Sequence, residues 1–594
     1  MRRDPVRERF RRLTGVAQGP GTATSATPRW RPPADVPSAH RLALERLTGL
    51  PAPLCELLHR RGFLADEDTE RFLHPHLDHL PPPGLLPDMD AATGRIRRAL
   101  ARGERILVHG DYDVDGMTGT AVLTGALRDL GGEPIPFVPH RMRDGYDLGS
   151  AGIEVAAARR ATLIVTTDCG ISAHDAVREA AARGIDVIVT DHHRPGPTLP
   201  DAVAVVNPGR SDHEYPYRGL AGVGVAFKLV QELFAGQGLE EGRLNRYLDL
   251  VALGTIADQA PLTGENRVLA RFGLRVLHRT RRVGLRALMR EAGVGRWAAV
   301  RATDLAFRVA PRLNSAGRMG DAADGLRLLL TEDPDEADRL ARRIELHNED
   351  RREADRTILR EARELLAETY DPARDRIVVL WREGWHPGVL GIAASRLVDE
   401  LHRPVALISV DGDRGRGSAR SVRDFHLFRA LESCADVFER FGGHAMAAGF
   451  DVRRDRLGAL RARLSEVALE WLDPTGLEPE LPIDLDIRLA DLDAHFLRGF
   501  SRLEPFGAEH RMPVLLARGV ELRSPRTVGT TAAHLRCALA DGGDRLEAIG
   551  FGLGSGPAQV TGRDRFDVVF ELHVETTRRG MRPQAHVRAL RPAE

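Results

Sequence analysis

The segment His109-Gly110-Asp111-Tyr112-Asp113-Val114-Asp115-Gly116 places three carboxylates and an imidazole within seven residues. In extended backbone, side chains of equal parity point to one side, so Asp111, Asp113 and Asp115 would converge. Unpaired carboxylates that close repel one another and resist ionisation unless cations neutralise them. The implied chemistry is a divalent-metal site. Taken alone, a solvated acidic turn is an equal alternative, and D-x-D-x-D-G also opens a calcium loop. That loop needs a glutamate at its twelfth position, where this chain, counted from Asp111, has Val122.

More acidic motifs follow. Asp168 closes ATLIVTTD, and Asp191, His192 and His193 close IDVIVTDHH. Asp258 lies in LVALGTIADQAPL, where Pro261 ends an apolar helix-like run. A lone strand-end aspartate is usually a helix cap. The series, however, offers hard oxygen ligands together with imidazole, a mixture that suits manganese better than magnesium. Neighbours in an extended segment face opposite ways, so one of His192 and His193 faces a metal and the other is free for substrate.

These groups need a scaffold, and from residue 104 the chain alternates β-rich runs with helical stretches: ERILVHG, TGTAVLTGALRDL, ATLIVTTD, AHDAVREAAARG, IDVIVTDHH, AVAVVNP. The pattern predicts a parallel sheet covered by helices, with chemistry beyond the carboxyl ends of its strands. Residues 331–370 are highly charged with an intermittent apolar stripe, which reads as a connector helix. A second β/α-like region runs to about residue 470, and β-rich sequence from about 482 suits a small barrel or sandwich. The fold class is therefore α/β. Its expected divisions are a tail and linker, disordered, over 1–40; a catalytic domain with an N-terminal helical part over 41–330; the connector over 331–370; a second α/β domain over 371–480; and a β-barrel over 481–594.

Composition excludes some classes. No apolar run of about 18 residues is present to span a bilayer, and the Arg-rich start lacks the apolar stretch of a signal peptide. Cys55, Cys169, Cys434 and Cys537 form no C-x-x-C pair, so a disulfide framework or zinc knuckle is not indicated and a reducing cytoplasm fits. The 85 basic and 85 acidic residues cancel, which argues against a wholly basic nucleic-acid binder. Carboxylates committed to metals would still leave local basic surface for phosphates. Lys228 is the sole lysine, so that surface is built from arginine.

Taken in order, GDYDVDG, TTDCG, VTDHH and GTIADQAPL resemble the motif series of the DHH phosphoesterases, in the form found in their RecJ-like exonucleases. FRVAPRLNSAGRMG, WHPGVLGIAASRL, GSARSVRDFHL, FGGHAMAAGF and EPFGAEH extend the resemblance from about residue 45 to the end. The resemblance implies a DHH catalytic domain, a long helix, a DHH-associated domain and an OB-like barrel. It implies that Asp113, Asp115, Asp168, His192 and Asp258 hold two divalent ions, Mn²⁺ or Mg²⁺, with Asp168 bridging, and that His109 and Asp111 join or orient the ligands. It assigns catalytic roles to His193, Arg312 and Arg318, and substrate binding to Arg141, Tyr146, Ser418, Arg420, Gly442, Gly443 and His444. Asp147 departs from the family's usual glycine, and AEHRMP replaces a Gly-Asn-Pro-like run. The implied activity is 5′-to-3′ degradation of single-stranded DNA to 5′ mononucleotides in repair and recombination. The protein would be a cytoplasmic monomer, with a single-strand-binding protein and a helicase as partners and no membrane association. Competing readings are hydrolysis of short oligonucleotides, cyclic dinucleotides or pyrophosphate, activities of shorter DHH relatives, and a catalytically silent replication scaffold.

Overall fold

Short runs rich in Ile, Leu and Val form strands β1 (Arg105–Gly110), β2 (Ile135–Phe137), β3 (Ala161–Thr167), β4 (Asp186–Thr190) and β5 (Ala204–Val206). The computed structural model describes residues 28–593 except 236–240, 296–298, 474–476, 530–531, 555–564 and 578–579. All pairings in this sheet are parallel, in the order β2-β1-β3-β4-β5. Winding reverses between β1 and β3, and the crevice at such a reversal is where open α/β sheets bind ligands. Helices α1 (Val114–Asp129), α2 (Gly222–Ala235) and α3 (Leu248–Ala257) pack together there, and α3 is buried nearly all round.

Helix α4 (Ala310–Met319) leads towards α5 (Pro334–Thr369), whose 36 residues span about 54 Å at 1.5 Å per residue. Asp333 caps α5 by accepting from the Asp335 amide. Ala337, Leu340 and Ile344 sit in the core of the first sheet, whereas Ile358, Ala362 and Leu366 sit in a second core. One helix thus anchors both units. The second unit's sheet comprises β6 (Val378–Glu383), β7 (Val405–Asp411), β8 (Arg414–Arg420), β9 (Phe438–Gly443) and β10 (Ala447–Arg453), ordered β9-β10-β8-β7-β6, and only β6 and β7 pair in parallel. A closed five-stranded barrel follows, from β11 (Val514–Val528), β12 (His534–Asp541), β13 (Asp544–Gly550), β14 (Arg565–Thr577) and β15 (Gly580–Pro592), with β11 bonded to both β12 and β14.

Two expectations change. Residues 41–73, assigned from sequence to the catalytic domain, pack instead with the barrel: Leu44, Leu54, Leu57 and Phe72 share a core with Phe496, Phe500, Leu515 and Phe570. The reason is complementary apolar faces, since the helix Ala494–Leu503 buries Phe496, Phe500 and Leu503 against these N-terminal helices. His510, in the departing AEHRMP segment, belongs to this seam: its Nε2 lies 2.8 Å from the Leu503 carbonyl, and its ring stacks on Phe506. Within the span expected to be disordered, Arg29–Arg31 forms a strand parallel to Glu480–Pro482. Residues 1–27 of the expected tail lie outside the described residues. The four cysteines are free and buried, and no described helix is long and apolar enough to cross a membrane.

Candidate metal centre

The carboxyl ends of β1, β3 and β4, together with the end of α3, gather the acidic motifs. Asp111, Asp113 and Asp115 do not converge through strand parity as expected, because the chain leaves extended geometry and enters α1 at Val114. Convergence comes from capping instead. Asp113 caps α1, its Oδ1 accepting from the amides of Asp115 and Gly116 at 2.9 and 3.1 Å. Asp115, fully buried, accepts from the amides of Gly222 and Val223 at the start of α2, at 2.7 and 2.9 Å. Gly222 also lets Asp168 pack close by, since a Cβ there would stand 2.6 Å from the Asp168 Cβ. Asp168 itself holds φ 62°, a left-handed conformation costing a non-glycine residue about 1–3 kcal/mol.

Three overlapping groups result: Asp111, Asp113 and Asp168; Asp115, His192 and Asp258; Asp168, His192 and His193, with the candidate ligand atoms in each group within 4.8 Å of one another. Burial, and then the Asp113 charge, push Asp111 well above the carboxylate range and Asp115 up to about 7. Burial, and then Asp115, do the same to Asp168 and raise Asp258 to about 8. Burial lowers His192 to about 4, so the ring is neutral, and the backbone of Leu220 accepts from it. Its other nitrogen, Nε2, lies 3.1 Å from Asp168 Oδ1. Nε2 of His192, Oδ1 of Asp168 and Oδ1 of Asp111 are all buried without a hydrogen-bond partner. Acceptors facing acceptors in a dry site are costly unless a cation lies between them, so the donor set fits divalent metal.

His193 borders this lone-pair cluster, with Nδ1 3.9 Å from Asp168 Oδ1, but its ring nitrogens are engaged elsewhere. Its Nδ1 is 2.8 Å from Asp191 Oδ1, and its Nε2 is 3.3 Å from the Tyr146 hydroxyl. Burial alone would lower its pKa, but the Asp191 bond raises it to about 9. Asp191, not chosen as a site residue from sequence, is the positioning group here, and its place at the end of β4 was the available signal. His109 is not brought to the cluster. Its ring packs by Phe137, with Nδ1 3.6 Å from Cys169 Sγ, in a space that exists because residue 152 is glycine.

Beside the cluster, a cavity of about 620 Å³ lies between the two α/β units, lined by Tyr112, Arg141, Tyr146, Arg318, Ser418, Arg420 and Gly442 among others. Burial and neighbouring guanidiniums, Arg141 first among them, lower Arg318 to about 10, and burial and Arg141 also lower Arg420. Arg141 rests over the Tyr112 ring at 4.9 Å, and Arg420 donates to Ser418 Oγ at 3.1 Å. Three guanidiniums therefore face one space, and Asp451, the one acidic lining residue, is paired with Arg416 and Arg440, an arrangement complementary to phosphate. Gly391 was missed from sequence, although a Cβ there would strike Arg420 Nη2 at 2.5 Å.

Known proteins resemble this chain over most of its length. The RecJ single-stranded-DNA-specific exonuclease of Escherichia coli is 36% identical over 561 residues, covering 91% of this chain and 96% of that protein. The chain belongs to the RecJ family. The Dickeya dadantii RecJ is 40% identical over 521 residues, covering 84% of this chain and 89% of that protein. Family models match in order: the DHH family N-terminal domain over 105–255, the DHHA1 domain over 374–470 and the RecJ OB domain over 483–589. The crystal structure of Thermus thermophilus RecJ with Mn²⁺ superposes with a TM-score of 0.79 at 33% identity, covering 95% of this chain and 80% of that one, and another structure of that RecJ holds Mg²⁺.

Within this RecJ-family chain three expected residues lie apart from the cavity. Arg312 is engaged by Glu345 of α5 and by the Arg308 carbonyl. Gly443, the last residue of β9, and His444, in the exposed β9–β10 turn, lie past the lining residue Gly442, and the His444 amide donates to the Ala447 carbonyl at 2.8 Å. Lys228, the sole lysine, is buried 3.0 Å from Glu265 and offers nothing to phosphate.

Proposed function

We propose that this chain is a metal-dependent exonuclease that degrades single-stranded DNA from its 5′ end to 5′ mononucleotides, in DNA repair and recombination. The observation that carries this reading is the adjacency of an orphaned acceptor cluster to a guanidinium-lined cavity, in a chain of the RecJ family. Asp111, Asp113, Asp115, Asp168, His192 and Asp258 would hold two divalent ions. Bound ions supply an activated water and neutralise charge on the attacking and leaving oxygens. The mixed carboxylate and imidazole set favours Mn²⁺ and remains compatible with Mg²⁺.

The chain's own residues position the strand. Arg141, Arg318 and Arg420 bind phosphates, and Ser418 orients Arg420. His193, fixed by Asp191, and the Tyr146 hydroxyl stand where the cavity meets the cluster and hydrogen-bond the scissile phosphate. The barrel guides the rest of the strand by charge and sparse stacking, with Phe551 the exposed large aromatic among its described residues. The protein acts as a monomer in the cytoplasm, assisted by a single-strand-binding protein and a helicase. The test gives the full chain Mn²⁺ and, separately, long single-stranded DNA, double-stranded DNA, a dinucleotide and pyrophosphate. Release of mononucleotides from the long single strand in preference to all others supports the reading. Faster turnover of the dinucleotide or of pyrophosphate overturns it.

A further inference from the structure

Helix α1 ends far from the metal centre. Asp115 lies in its first turn, and its last turn carries Arg128. Its 16 residues put about 24 Å between the two ends. At the far end is a second cavity, of about 740 Å³, a size that small-molecule sites commonly have. Arg128, Arg243, Arg246, Arg279, Arg281 and Arg282 line it, and these six are a third of its 18 lining residues. Lys and Arg together make up only 85 of 594 residues, so the basin is more than twice as basic as the chain.

The arrangement is built. The fully buried Tyr247 forms its floor, with the guanidiniums of Arg246 and Arg282 at 5.0 and 5.4 Å from the ring centre. Gly125 makes room for that ring, since a Cβ there would lie 2.9 Å from Tyr247 Cε1. Asp129 accepts from the Tyr247 hydroxyl at 2.7 Å and pairs with Arg246. Asp249 accepts from Thr280 at 2.7 Å and from Arg282 at 3.2 Å. Arg128, Arg243, Arg279 and Arg281 are exposed and pair with no carboxylate among the described residues. With Asp129, Asp249 and Glu332 as the acidic lining, three positive charges remain in excess.

That excess, concentrated in a neutral chain, calls for a multiply charged anion. The ring at the floor is buried, so the basin offers no face on which a base could stack. We propose that this basin binds a run of closely spaced phosphate groups, supplied either by the backbone of the DNA strand beyond the catalytic cavity or by a free oligophosphate. Guanidinium forks match phosphate oxygens in charge and geometry.

The test uses the metal-free full chain, with inorganic tripolyphosphate as the probe and thermal unfolding as the readout. The midpoint should rise with tripolyphosphate. Measured in an Arg420→Ala background, which weakens the separate phosphate site of the catalytic cavity, the apparent affinity should fall at least tenfold on adding the double variant Arg279→Ala/Arg281→Ala. Both basin arginines are exposed, so the variant retains its fold. No rise in the unaltered chain, or an equal rise in the double variant, overturns the proposal. A long single strand then identifies the source. Weaker binding by the double variant, with a salt slope shallower by about 1.4 for two lost phosphate contacts, assigns the basin to the DNA backbone; unchanged DNA binding with lost tripolyphosphate binding assigns it to a free oligophosphate.

Discussion

Asp147 holds a left-handed backbone, φ 75°, that glycine adopts freely, yet its carboxylate makes contacts that glycine could not. Oδ1 accepts from the Gly170 amide at 2.6 Å and from the Leu148 amide at 2.8 Å. The first bond ties the loop carrying Tyr146 to the loop carrying Asp168. Asp147→Gly relieves strain of about 1 kcal/mol or more and removes two hydrogen bonds worth about 0.5–1.5 kcal/mol each. Thermal stability should therefore change little, while turnover of single-stranded DNA falls about tenfold as the loops separate. Asp147→Asn keeps the acceptor and should keep the turnover; wild-type turnover in Asp147→Gly would show that the tie is idle. At this scale the carboxylates were legible because aspartates recur at successive strand ends, whereas a lone one there is usually a helix cap. It misplaced His109 and Arg312, because the partners that occupy them, Phe137 and Glu345, are brought near only by the tertiary fold.

Strand β8 carries Ser418 and Arg420 two residues apart, hence on one face, and that face meets Arg141 and Arg318 across the cavity. An end-acting nuclease needs a feature found only at strand ends, and the terminal phosphate is one. Arg420→Ala should remove a preference for 5′-phosphorylated over 5′-hydroxyl strands. The loss of a charge-assisted bond, about 1.5–3 kcal/mol, corresponds to roughly a tenfold to hundredfold drop in affinity for phosphorylated ends. Binding measured on both strands decides this, and an unchanged preference in the variant moves end recognition elsewhere. Elements were read most faithfully where one pattern dominates. The apolar stripe of α5 and the uniformly apolar strands of the first sheet are legible because each reflects a single burial environment. The bend of the chain into α1 at Val114 was not, since a capping aspartate and an extended one look alike in sequence.

At the scale of the molecule, the N-terminal helices and the C-terminal barrel form one core, although about 400 residues separate them. Complementary apolar faces that far apart leave no mark in local sequence, which is why residues 41–73 were assigned to the wrong partner. Arg267 reinforces the seam from the catalytic side, its guanidinium donating to the carbonyls of Phe72, Arg502 and Glu504 at 2.9, 3.0 and 3.1 Å. A chain cut near residue 480 should therefore lose solubility and melt at lower temperature, because Leu44, Leu54 and Phe72 become exposed. A chain spanning 74–480 should lose less. Equal solubility and melting for the two truncations would contradict the shared core.

A two-metal Asp–His centre has a direct calorimetric signature, read by titrating the full chain with Mn²⁺. The unaltered chain should bind two ions. Asp168→Asn should lose both, because Asp168 is shared between two of the ligand groups, and Arg420→Ala should retain both. Two ions still bound by Asp168→Asn, or none bound by the unaltered chain, would show that the cluster is not a two-metal centre.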